Sequence, residues 1–84
     1  MIYTPDVSAA INSVKIPVEM TVDIVDFGGY LGIRFYESEW AHISEHERTK
    51  MAAYFEIIRR MLKNAGIKST LDPIYDKPGV QKLG

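Results

Sequence analysis

Val18–Tyr36 reads VEMTVDIVDFGGYLGIRFY, and folded on a two-residue turn at Gly28-Gly29 it pairs with itself in one register. Glycine accepts the positive φ that such a turn needs at no steric cost. Phe27 then stands opposite Tyr30, Asp26 opposite Leu31, Val25 opposite Gly32 and Ile24 opposite Ile33. Asp23 follows opposite Arg34, Val22 opposite Phe35 and Thr21 opposite Tyr36. One face gathers Met20, Val22, Ile24, Leu31, Ile33 and Phe35. The other gathers Thr21, Asp23, Val25, Phe27, Tyr30, Gly32, Arg34 and Tyr36. A slip of one residue would exchange the faces and separate Asp23 from Arg34, so the register is well specified.

Upstream, Thr4-Pro5-Asp6 has the marks of a helix start: a capping hydroxyl, proline at the first helical position, and a carboxylate at the positive dipole end. Val7, Ala10, Ile11 and Val14 recur at helical spacing, and Pro17 ends the segment. Downstream, Ser44 and Glu47 form a capping-box pair. Lys63 sits toward the negative dipole end, Gly66 falls at the C′ position, and Ile67 is placed to touch Met61 or Leu62. The spacing predicts a long amphipathic helix over 45–65 with Met51, Phe55, Ile58, Leu62 and Ala65 as its apolar stripe. Tyr54 and Met61 lie on one flank, the stripe and that flank together span roughly 120°, and Ile57 and Ala53 carry the apolar arc further. Arg48, Arg59 and Lys63 line the other flank, where Glu56 can reach Arg59 or Arg60.

The stripe is expected to pack on the apolar hairpin face. Ile67–Leu71 can add a third strand. Asp72-Pro73 and Pro78-Gly79 read as breakers, which leaves 72–84 as an extended arm. These elements define a single α+β domain over 1–84: a short N-terminal helix, a β-hairpin over about 18–36, a long helix over about 45–65, and the arm.

Eighty-four residues lie near the lower size limit for a self-sufficient core, and without cysteine neither a disulfide nor a thiolate metal site can staple it. An apolar share of 46% is too high for a disordered chain. No apolar run reaches membrane-spanning length, and the N-terminus lacks the regions of a secretory signal. The expected location is the cytoplasm, the host's if the chain is viral. The net charge of −1 hides an asymmetry: residues 1–47 carry eight acids against Lys15 and Arg34, and residues 48–84 carry eight bases against Glu56, Asp72 and Asp76. Complementary halves within one fold or across a dimer account for this more simply than a nucleic-acid surface does.

Catalytic motifs dissolve on inspection. His42-Ile43-Ser44-Glu45-His46 matches the H-x-x-E-H pattern of inverted zinc peptidases, which needs both histidines on one helical face and a third ligand. With Ser44 as the cap, His42 precedes the helix, and 84 residues leave little material for a substrate cleft. Asp26-Phe27-Gly28 copies the magnesium-binding tripeptide of protein kinases without any other kinase element, and Gly28-Gly29 is no phosphate loop. No serine sits in a nucleophile elbow. The chain is therefore expected to be no enzyme, with no cofactor, no bound metal and no membrane contact.

Phe27, Tyr30, Arg34 and Tyr36 remain on the outer hairpin face. Aromatic rings and a guanidinium on a sheet suit protein hot spots and can also stack unpaired bases. Asp23, Asp26 and Glu19 nearby would repel phosphates, which favours a protein, unless the N-terminal helix or the arm covers the face. Ala53, Ile57 and Met61 exceed what two strands can cover, which points to a homo-oligomer. The expected function is a non-enzymatic protein-binding module, with itself or a larger protein as partner. A small accessory protein, of a phage for example, that assembles with or inhibits larger proteins has this character. A single-stranded nucleic-acid binder is the alternative, and a metal-dependent hydrolase at His42/His46 a distant third.

Overall fold

In the computed structural model, which describes residues 2–75, the turn forms as the glycines demand. Gly28 takes a φ of +93°, which Gly29 does not share, so the positive φ of the turn falls on its first glycine. The Phe27 N–H closes it by donating to the Tyr30 carbonyl oxygen at 3.0 Å. Strand β1 (Val22–Asp26) and strand β2 (Leu31–Tyr36) run antiparallel with Val22 opposite Phe35, Asp23 opposite Arg34, Ile24 opposite Ile33, Val25 opposite Gly32 and Asp26 opposite Leu31. The ladder stops before the Thr21–Tyr36 pair. There the Thr21 N–H and hydroxyl donate instead to the two carboxylate oxygens of Glu39, at 2.9 and 3.3 Å.

Helix α1 (Pro5–Asn12) starts at Thr4, whose hydroxyl accepts the Val7 N–H. A short helix α2 (Glu37–His42) follows β2 directly and carries no capping signal that the sequence would show. Helix α3 (Glu45–Asn64) begins with both halves of the Ser44–Glu47 box in place. It ends with Gly66 at φ +77°, its N–H on the Lys63 carbonyl oxygen and the Ile67 N–H on that of Leu62. Those two bonds are the Schellman closure.

Strand β3 (Ser69–Ile74) lies on the far side of β2 and runs parallel to it, so the order is β1-β2-β3 and β2–α2–α3–β3 is a crossover unit. A parallel neighbour requires a long connection, and the two helices supply it. Two expectations change here. Asp72 and Pro73 do not break the chain but continue β3, because Pro73 sits on an edge strand where no ladder hydrogen bond is asked of its nitrogen. Residues 72–74 of the expected arm thus belong to β3, and its residues 76–84 lie outside the described residues.

All three strands turn one face to the helices. Leu31 and Ile33 are completely buried there against Met51, Tyr54, Phe55, Ile58 and Leu62 of α3, joined by Ile11 of α1 and by Val18 and Met20 of the connection. Each such side chain contributes about 1.5–3 kcal/mol by leaving water. Phe55 stacks obliquely on Phe35, and Phe35 on Trp40 of α2. Ala65 is exposed, contrary to its place in the expected stripe, because the helix has already ended at Asn64.

Candidate functional site

Two side chains organise the hairpin end of the sheet, Asp26 on the helix-facing side opposite buried Leu31 and Phe27 on the outer side over Gly32. Asp26 ends β1, and its carboxylate accepts three backbone N–H groups: Ile2 and Tyr3 on one oxygen at 2.9 and 3.0 Å, Gly28 on the other at 2.8 Å. The N–H groups of Tyr3 and then Gly28 favour the ionised form and hold its pKa below the ordinary 3.8. Asp26 therefore ties the N-terminal segment to the hairpin turn, a role the sequence reading missed. An aspartate two residues before a turn glycine is the local signal that could have suggested it.

Phe27 is the second organiser. Its ring folds back over Gly32, so close that a Cβ built on Gly32 would meet Phe27 Cε2 at 2.5 Å. Tyr30 stacks on it with ring centres 5.0 Å apart, and the two rings remain 45% and 39% exposed. Further along the same face, Asp23, Arg34 and Asp72 occupy one row across the three strands. The ion pair of Arg34 is with Asp72, Nε to Oδ2 at 3.1 Å and off the line of the N–H, instead of the expected Asp23. The parallel third strand brings that second carboxylate alongside, and the sequence did not reveal its direction. Val25, Tyr36 and Ile74 are half-buried on this face.

Ala53, Ile57 and Met61 lie elsewhere. They sit on the helical layer, on α3, with Ile57 48% exposed, Ala53 exposed and Met61 packed on the core margin. The seven expected contact residues thus form two surfaces on opposite sides of the domain. Tyr54, on the neighbouring flank of α3, is buried in the core with Ile11 of α1, and burial pushes its hydroxyl pKa up, with Tyr3 adding to the effect.

His42 and His46 belong to different helices. His42 Nδ1 lies 2.6 Å from the Ser38 carbonyl oxygen, and Arg48 reaches the carbonyls of Trp40 and Ala41 while its guanidinium lies over the Trp40 ring. Among the described residues, no three His, Asp or Glu side chains converge into a metal-holding group, and no helix is long and apolar enough to cross a membrane.

Two features escaped the sequence. Leu71 of β3 is 40% exposed beside a slot of about 210 Å³ walled by Phe35, Trp40 and Phe55. A larger open groove of about 1150 Å³ runs between the last turns of α3, the start of β3 and the hairpin tip, and four cationic residues line it. The basic excess of the second half, with Arg59, Arg60 and Lys63 close together on one helix, was the available signal. Protein-family models, curated proteins and solved structures each return no match to the chain.

Proposed function

We propose that this chain is a non-enzymatic protein-binding module whose outer sheet face pairs first with a second copy of itself. The observation that supports this is the one-sided layering: α1 and α3 pack on one face of the sheet, and the described residues place no helix on the other. That face holds the exposed Phe27 ring beside half-buried Val25, Tyr36 and Ile74. Exposed apolar patches of this kind mark association.

Charge supports self-pairing. The row Asp23, Arg34, Asp72 reads minus, plus, minus across the sheet. Two copies packed face to face with an offset of one strand set each Arg34 opposite a carboxylate of the other copy, which closes as a two-fold dimer. A larger protein with a complementary row would dock in the same way, which suits an accessory protein. The absence of cysteine fits a reducing cytoplasm.

Light scattering across micromolar to millimolar concentration tests the reading. The parent should approach twice the 9.5 kDa chain mass, and Val25→Lys, which puts an unpaired charge into the contact, should return it to the monomer with its helical circular dichroism intact. A parent that stays monomeric throughout refutes self-pairing. Loss of mass by Ile57→Glu but not by Val25→Lys would move the interface to α3 and refute the outer face.

A further inference from the structure

We propose that the groove between the end of α3, the start of β3 and the hairpin tip binds single-stranded nucleic acid. It is lined by Arg59, Arg60, Lys63 and Lys68, and among the described residues Glu56 is its sole acidic lining residue. Glu56 is engaged by Arg60 at 3.4 Å, which leaves three positive charges for a ligand. Arg59 is held in place by donating from Nη2 to the Ser69 carbonyl oxygen at 3.3 Å.

The ordinary reason for cations here is the negative end of the helix dipole, and Lys63 in the last turn answers it. The Schellman bonds already satisfy the carbonyls of Leu62 and Lys63. Arg59, Arg60 and Lys68 are in excess of that need. The acids that seemed to oppose phosphate binding, Asp23, Asp26 and Glu19, do not line the groove, and Asp26 is occupied by three N–H groups.

Size and the rim specify the ligand. A volume of about 1150 Å³ in an open channel exceeds the roughly 300–1,000 Å³ of sites that enclose small molecules, and it suits an extended chain. Tyr30 lines the groove with one ring face stacked on Phe27, so the other is available to a base. A cationic channel with an aromatic platform is the chemistry of sequence-tolerant single-strand binding. Paired bases cannot reach such a platform, which argues against a duplex, and an acidic peptide would leave it unused.

Fluorescence anisotropy of labelled dT12 and rU12 with the full chain tests this, with a 12-base-pair duplex and a twelve-residue polyglutamate peptide as competitors. Three neutralised phosphates predict a log–log salt slope of about −2, or about a 20-fold loss of affinity between 50 and 200 mM salt. Lys63→Gln with Lys68→Gln, both exposed, should bring the slope to about −0.7. Tyr30→Ala should weaken binding by about 5- to 100-fold and leave the slope alone. The double variant should keep the parent's mass in light scattering, which separates this site from self-pairing. No anisotropy change at 50 mM salt, an unchanged slope in the double variant, or competition by duplex or polyglutamate as strong as by dT12 would overturn the proposal. A preference between dT12 and rU12 would support it and identify the strand.

Discussion

Replacing Gly32 by alanine sets two effects against each other in the middle of β2. Alanine loses less chain entropy on entering a strand, a gain of about 0.5–1 kcal/mol. Its Cβ, however, would stand 2.5 Å from Phe27 Cε2, and carbon atoms rest at about 3.5 Å or more. The ring has to move outward by about 1 Å. It can do so without straining the strand, because that atom is the far end of a half-exposed side chain. What it gives up is the stack on Tyr30, worth about 0.5–1.5 kcal/mol beyond burial. In the parent the two terms nearly cancel, leaving between about 0.5 kcal/mol of gain and 1 kcal/mol of loss. With Phe27→Ala already in place the ring is absent, and Gly32→Ala should stabilise by the full 0.5–1 kcal/mol or so. Urea denaturation followed by helical circular dichroism measures the coupling. At about 1 kcal/mol per M it appears as a midpoint difference of roughly 0.5–1.5 M between backgrounds. Equal shifts in the two backgrounds would show that the ring does not lie over Gly32.

Phe55→Ala removes a ring that is 3% exposed between Phe35 and Tyr54 and should cost about 3–5 kcal/mol of the roughly 4–13 kcal/mol a chain of this size commands, read as a thermal midpoint. Ser44→Ala should cost about 1 kcal/mol in the same assay through loss of the cap. A double-mutant cycle of Arg34→Gln with Asp72→Asn should give a coupling of about 0.2–1 kcal/mol, kept small by solvent screening, and the cycle with Asp23→Asn a smaller one; the reverse order would contradict the parallel third strand. Because the folded pKa of Asp26 is depressed, its contribution is complete above 3.8 and is lost as pH falls through the lower folded value. Asp26→Asn should therefore destabilise the protein at neutral pH and remove part of its acid sensitivity, measured as thermal midpoints from neutral pH downward.

Local physics made much of this fold legible. The hairpin register follows from a period of two and a pair of glycines, and each of the five ladder pairs stands where that reasoning puts it. The limits of α3 follow from a capping box and a terminal glycine, signals that act within a single turn of backbone. Its buried face follows from the 3.6-residue period, with Ala65 the exception because the helix stops one residue sooner.

Tertiary structure decided whatever depended on chain segments distant in sequence. The stretch after Gly66 carries strand-forming residues, but its direction is set by the crossover through α2 and α3, and no local pattern encodes that. Direction in turn chose Asp72 over Asp23 as the neighbour of Arg34, since both carboxylates share its row and side-chain charge alone does not rank them. Asp26 holds Ile2 and Tyr3 from 24 and 23 residues away, bonds that only the packed N-terminal segment makes available. The basic groove arises for the same reason. Arg59, Arg60 and Lys63 read along the chain as a solvated helix flank with Lys68 beyond its end, and folding sets Tyr30 of the hairpin beside them. Periodicity and capping act over a few residues and are written in the sequence. A surface built from a turn, a helix end and a strand start exists only after the core has brought them together.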